Sequence, residues 1–533
     1  MDLLFISALI LLYIVTILSI FELRYLVNID REIEVPKYED LKRPVRLFVI
    51  YPVKNEYEDV IIKKIEYLYK INNPYKNFDL RFVFIDDTDI NKEKVLVNYL
   101  DSKKLGIYTY KNFLIYDLGK IIYIFRFGGI KRKGAALDEL IDFLVEKFGI
   151  EYVSIYDLEW TVTVDYLYKA VCILESNKDL SFVYWNRRTV PVDYYHKLVG
   201  IYVDTFFELT LPAKNLLDDI SMVHGSCGVL RVRDYKVAGG FTPHLTEDAS
   251  LTLRLYMNGY KGIYIRNWIE YGQNLPPNFN MTMKTLRRWQ TGTFDVIYSN
   301  LFKLLFNENL NLKQKLSFMH MFSSIYIPLL SFVLISISIY SIISNYSSGT
   351  YQYIFPFFYF ATLYIVLLML YQYYKVEERI YGEGSLKDAF LVLLIGWGIS
   401  SLTIVYYLRR ILFGMDNKWI VTKKKVIRYN YDYYSITVLL IFLIINLIFI
   451  IRAMPWLIYL YYNDHLLFLL TITLGELSSY IWVLSILFIF YLMYRGYTMK
   501  EKDVGDLLYL GIRNLEIKDS PVKIKNEYIT RSL

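Results

Sequence analysis

Arg46-Leu47-Phe48-Val49-Ile50-Tyr51-Pro52-Val53 is an almost unbroken apolar run that breaks at a proline into Lys54-Asn55-Glu56, followed by a helical pattern to about Ile71. A continuous apolar run of this length, bounded by a turn, reads as a strand buried on both faces, as parallel sheets require. The pattern recurs. Leu80 to Ile85 ends in Asp86-Asp87-Thr88-Asp89, and Ile121 to Phe127 runs into Gly128-Gly129-Ile130-Lys131-Arg132-Lys133-Gly134 at the head of another helix. Tyr152 to Tyr156 ends in Asp157-Leu158-Glu159. Short strands alternating with helices specify an α/β domain. Ligands of open parallel sheets bind beyond the carboxyl ends of the strands, so the polar residues closing each run belong to one cleft.

The rest of the chain bounds the setting of that domain. Its 533 residues are 55% hydrophobic and 18% aromatic, too apolar for one soluble domain and too charged to lie wholly in a bilayer. Cys172 and Cys227 lack a CxxC or His-rich neighbourhood, so neither a disulfide framework nor a structural zinc site is indicated. The net charge of +7 is dispersed and matches positive-inside topology better than nucleic-acid binding.

A further stretch, Pro243 to Leu255, follows the Gly239-Gly240 turn and opens a helix with Leu251, Leu255 and Tyr256 near one face. Glu247 and Asp248 stand at its start, where free N–H groups and the helix dipole favour negative charge. Alone, this is an N-cap with a solvated neighbour. Likewise Asp86 to Asp89 alone is an Asx turn, and Lys131 to Gly134 alone a solvated loop.

In this order and at these spacings the motifs resemble the family 2 glycosyltransferases, over about Arg46 to Gly292 and again near Gly414. The resemblance implies an α/β GT-A (Rossmann-like nucleotide-sugar-binding) cytosolic domain combined with an α-helical transmembrane domain. It implies a nucleotide-sugar site of Pro52, Asn55, Glu56, Asp86, Asp87, Lys133, Asp157, Arg288 and Trp289, with Asp86 and Asp87 on the base and ribose. Asp157-Leu158-Glu159 stands at the DxD position, with glutamate for the second aspartate, so Asp157 and Glu159 are the implied ligands of Mg2+ or Mn2+. His224, Gly225, Ser226 and Trp289 are implied acceptor contacts; the alternative for His224 is a structural surface histidine. Thr246-Glu247-Asp248 matches the TED motif, with Asp248 at the position of the general base. A sugar hydroxyl is a poor nucleophile until a carboxylate takes its proton. Lys284 to Gly292 resembles the QxxRW segment of membrane polysaccharide synthases: Arg288 and Trp289 match, and Thr285 replaces the glutamine. Gly414 to Lys424 resembles a Trp-x-x-Thr-x-Lys gating loop through Trp419, Thr422 and Lys423.

Leu3 to Phe21 is uncharged, of spanning length and without a small-residue cleavage site, which predicts an uncleaved anchor. Met321 to Ile343, Tyr351 to Tyr374, Tyr433 to Ile451 and about Leu477 to Tyr494 read as further crossings. Ala389 to Leu408, basic on both flanks, reads as kinked or re-entrant with Gly396 and Gly398 at the bend. The expected organisation is an anchor over 1–24, a cytosolic domain over 25–315 and membrane helices over 316–496, these including an interfacial segment 385–412 and a loop 413–426. A polar cytosolic tail over 497–533 completes a multi-pass protein of the cell membrane. The expected function is inverting transfer of a hexose from a UDP- or GDP-sugar to a growing polysaccharide, coupled to its extrusion. Transfer of one sugar to a membrane lipid is the rival within enzymes, and a non-catalytic glycan conduit the rival outside them. A nucleotide-sugar donor, a glycan or lipid acceptor and membrane lipids are the expected partners.

Overall fold

A computed structural model describes residues 20–323, 355–414 and 477–495, apart from isolated positions within them, and scattered positions between 436 and 462. Nine strands form one mixed sheet: β1 (Val45–Val53), β2 (Phe78–Asp86), β3 (Gly106–Tyr110), β4 (Phe113–Asp117), β5 (Ile121–Arg126), β6 (Tyr152–Ile155), β7 (Leu180–Thr189), β8 (Gly228–Arg231) and β9 (Lys261–Gly272). Their order is β3-β4-β5-β2-β1-β6-β8-β7-β9. The four strands read from the apolar runs, β5, β2, β1 and β6, make its parallel centre. Expectation and structure part at the edges. An antiparallel β3–β4 hairpin extends one side, and antiparallel β8 followed by the parallel β7–β9 pair extends the other. β3 is largely exposed, and polar residues interrupt β7 and β9, so none presents the continuous apolar run that marks a central strand.

Side-chain alternation along β1 divides the core into two layers. Phe48 and Ile50 pack with Val83, Ile85 and the helix residues Leu137, Leu140 and Ile141. Leu47, Val49 and Tyr51 face the other way, onto Ile61, Ile65 and Leu68. Helices therefore cover both faces, and the carboxyl ends of the parallel strands open at one rim of the sheet.

The first layer continues into the later helices Phe355–Tyr381, Leu386–Phe413 and Leu477–Arg495, through Tyr373, Leu393, Trp397 and Ile489. Polar ties reinforce the junction: Lys197 Nζ lies 2.5 Å from Glu377 and 3.0 Å from Asp388, and Gln372 donates to Glu22 at 2.7 Å. The bend expected at Gly396 and Gly398 does not interrupt the helix, which runs unbroken from Leu386 to Phe413. These glycines instead permit close contacts, Gly396 with Tyr202 and Tyr373, Gly398 with Ile489. Among the described residues no helix is long and apolar enough to cross a membrane. Nearly all of Leu3 to Phe21, most of Met321 to Ile343, the loop with Trp419, Thr422 and Lys423, and the tail over 497–533 lie outside the described residues.

Gly228 of β8 stands opposite Tyr184 of β7, and a Cβ there would fall 2.3 Å from the ring. Overpacking of this kind costs about 1–3 kcal/mol. Gly228→Ala should therefore lower the melting temperature by several degrees, and an unchanged thermal melt would show that this strand pair is not so tightly packed.

Candidate active site

β6 carries Asp157 to the rim, its pairing with β1 extended by the Tyr156 N–H, which donates to the Ile50 carbonyl at 2.9 Å. Leu158 is buried, and Asp157 and Glu159 on either side of it are half-exposed. The turn that follows is pinned from behind. Glu270 of β9 accepts from Thr161 Oγ1 at 2.5 Å and from the Thr163 N–H at 2.8 Å, and Lys64 Nζ donates to the Trp160 carbonyl at 2.5 Å. Burial drives both groups toward their neutral forms, pushing Glu270 up to about 7 and Lys64 down to about 7. Sequence reading missed this pair; a lone carboxylate within the aromatic run of β9 was the available signal.

Three segments meet at Asp157. Lys133 Nζ, in the first turn of the Lys133–Phe148 helix, lies 2.8 Å from Asp157 Oδ1. Ser226 Oγ donates to Asp157 Oδ2 at 3.0 Å, and the Asp157 N–H donates to Ser226 Oγ at 3.1 Å. Gly225, at φ 77°, stands beside the Glu247–Met257 helix, where a Cβ would be 3.3 Å from Asp248 Oδ2. Glu247 and Asp248 occupy that helix's first turn, and the Ala249 N–H donates to Asp248 Oδ1 at 2.8 Å. Thr246 precedes them in the capping position, but its hydroxyl makes no capping bond.

Burial pushes Asp248 above the usual carboxylate range; its own backbone contacts, Lys133 and Arg187 pull it back. Burial and the neighbouring Asp248 charge push Glu247 up, against Lys133 and Arg288. Burial opposes the charge on Lys133, yet Asp157, Glu247 and Asp248 together hold its ammonium above the ordinary lysine value. The sequence-predicted Lys133, Asp157, Ser226, Glu247, Asp248 and Arg288 are thus electrostatically one site. Arg187 of β7 belongs to it and was not read from the sequence.

Other expected contacts are differently placed. Pro52 closes β1 opposite Ile85, and the Asn55 N–H, at φ 54°, donates to Thr88 Oγ1 at 2.7 Å, which ties the β1 and β2 loops together. Asp86 is fully buried, accepting from Tyr123 at 2.5 Å and from the Thr88 N–H at 2.7 Å. Both oxygens of Asp87 receive Arg126, at 2.6 and 3.0 Å. In this structure both carboxylates brace the turn. His224 is neither a surface histidine nor open to the cleft: it is 3% exposed, edge-on to Tyr184, Phe207 and Tyr264. Burial and the nearby Arg187 hold it neutral. Trp289 is half-buried against the apolar core, on the same Phe279–Leu305 helix as Arg288 and the buried Thr285.

Among the described residues no group of three or more His, Cys, Asp or Glu side chains is disposed to hold a metal ion. Two carboxylates are nonetheless enough for a hard divalent cation completed by substrate phosphate oxygens and water. Asp157 and Glu159, half-exposed on one turn, fit that donor set.

Residues 152–374 match the profile of Glycosyl transferase family group 2, an inverting family. Glucomannan 4-beta-mannosyltransferase 1 of Oryza sativa subsp. japonica is 24% identical over 175 residues, 32% of this chain and 33% of that protein. Glucomannan 4-beta-mannosyltransferase 9 of Arabidopsis thaliana is 23% identical over the same length and shares. The chain therefore matches about a third of the length of these relatives. Among solved structures, mannosyltransferase PcManGT from Pyrobaculum calidifontis, in complex with GDP-Man and Mn2+, gives a TM-score of 0.45 at 14% identity, covering 76% of this chain and 100% of that one. S. aureus TarS 1-349 gives a TM-score of 0.30 at 12% identity, covering 70% and 93%. The described residues form a mixed α/β domain.

Asp248 can act as a base only when ionised, and Lys133 helps to keep it so. Lys133→Met should raise the pH at which the Asp248 carboxyl ionises, read by NMR titration of that carboxyl. An unshifted titration would show that Lys133 exerts no such control.

Proposed function

We propose that this chain is an inverting family 2 glycosyltransferase that moves a hexose from a UDP- or GDP-sugar to a growing polysaccharide. The observation that carries this reading is the meeting of Asp157, Lys133 and Ser226 beside Glu247 and Asp248, at the carboxyl ends of parallel strands. In it Asp248 takes the proton of the attacking acceptor hydroxyl, with Glu247 beside it and Thr246 before it at the helix start. Lys133 and Arg288 offset charge on the departing diphosphate. Mg2+ or Mn2+ held by Asp157 and Glu159 would supply further electrostatic stabilisation of that leaving group. Pro52, Asn55 and Glu56 border the nucleotide from the β1 loop, with Asp86 and Asp87 supporting its base and ribose side. Gly225 admits the acceptor beside Asp248, with Ser226 holding Asp157 and Trp289 offering an aromatic face. Trp419, Thr422 and Lys423 belong to the donor side in this reading, on the sequence resemblance alone. Membrane attachment, with the catalytic domain cytosolic, rests on the apolar runs outside the described residues, Leu3 to Phe21 first among them.

Thr285, where polysaccharide synthases of the resembled group carry glutamine, favours the second reading, in which one sugar passes to a membrane lipid. The test is turnover of radiolabelled donors, GDP-mannose and UDP-glucose first, by the full chain in native-like membranes with Mn2+ or Mg2+. The expected product is high-molecular-weight glycan, reduced about 100-fold or more in Asp248→Asn. A single lipid-soluble band would replace the polymer reading with the glycolipid one. Nucleotide binding without turnover of any donor, identical in the Asp248→Asn variant, would leave a non-catalytic conduit.

A further inference from the structure

Arg187 differs from the other deeply buried arginines. Arg126 is paired with Asp87 and Glu139, Arg231 donates to the Lys178 carbonyl at 3.2 Å, and Arg266 donates to the Arg31 carbonyl at 2.9 Å. The Arg187 side chain, 8% exposed, makes no hydrogen bond or ion pair among the described residues, and its Nε is buried without a partner. Aromatic faces hold it instead: the guanidinium carbon is 4.3 Å from the Phe207 ring centroid and 5.4 Å from that of Trp160. Such contacts fix a cation in place while leaving its N–H donors unused.

Both rings adjoin segments of the site. Trp160 directly follows Asp157-Leu158-Glu159, and the Phe207 ring lies 5.2 Å from that of His224, which precedes the Gly225 that abuts Asp248. Arg187 therefore lies among residues that adjoin both the Asp157 turn and the segment abutting Asp248. A buried charged donor without a protein partner is costly, and such groups persist where a ligand completes them. The guanidinium fork matches two adjacent oxygens. Those of a carboxylated sugar would meet Glu247 and Asp248 as like charges, whereas neutral hydroxyls would not.

We propose that Arg187 is an acceptor-binding residue whose guanidinium donates to two neighbouring hydroxyl oxygens of a neutral sugar, holding a third hydroxyl toward Asp248. This rests on the glycosyltransferase reading above. The test uses the full chain in lipid nanodiscs, with GDP-mannose or UDP-glucose as donor and manno- or cello-tetraose as acceptor, and follows nucleotide release with and without acceptor. Arg187→Met should raise the acceptor KM about tenfold or more, with donor KM within about twofold of the unmutated protein. Arg187→Lys, which keeps the charge and loses the fork, should fall between; it also decides the matter should the Met variant fail to fold. Intact release with an unmoved acceptor KM, or a rise in donor KM alone, would overturn the assignment of Arg187 and leave the transferase reading standing. No release and no transfer by the unmutated protein would remove both.

Discussion

Asp157 is the point on which the site depends. One oxygen meets Lys133 from the helix after β5 and the other meets Ser226 from the segment before β8, while its own N–H returns to Ser226. The pair with Lys133 is about a third exposed on each side. At the effective dielectric of such a place, the gross attraction of two unit charges about 4 Å apart is about 4 kcal/mol. Partly desolvating two ions costs a comparable amount, several kcal/mol each when burial is complete. The pair therefore adds little net stability. What it contributes is position: the segments that follow β5 and β6 and the one that precedes β8 are held to one carboxylate.

That arrangement follows from the sheet. Parallel β5, β2, β1 and β6 send their carboxyl ends the same way, so the residues that end each run are brought to one rim whatever the spacing in sequence. The turn after β6 then needs its own support, since a half-exposed pair of carboxylates around a buried Leu158 has few packing contacts to fix it. Glu270 and Lys64 provide it from behind, through Thr161, Thr163 and the Trp160 carbonyl.

The central strands and the groups at their ends were legible because their patterns are local. A doubly buried strand is continuously apolar, and a carboxylate pair opening a helix is visible as such. Three features were not legible. Asp86 and Asp87 are partnered by Tyr123 and Arg126, which are distant in the chain and invisible to a local reading. His224 sits among small polar residues that suggest exposure, and the aromatic rings that bury it come from β7, β9 and the Phe206–Thr210 turn. Arg187 lies in Asn186-Arg187-Arg188, where nothing local separates the two arginines; Arg188 is paired with Glu208, while Arg187 is buried against two rings. Each depends on contacts between residues far apart in sequence, which no window of the chain contains.

The charges that share this cleft bear on its proposed chemistry. Asp157, Glu247 and Asp248 influence Lys133, and Lys133, Arg187 and Arg288 act in turn on the two helix-start carboxylates. Acidic and basic groups thus share the cleft, and burial shifts the balance by pushing Glu247 and Asp248 toward protonation. A nucleotide-sugar diphosphate entering this field adds negative charge that the existing cations offset only in part. Its approach would push Asp248 further toward the protonated form, in which it is useless as a base. Under the proposed reading, a divalent cation on Asp157 and Glu159 would answer both demands: it would neutralise the diphosphate and free Lys133 to hold Asp248 ionised.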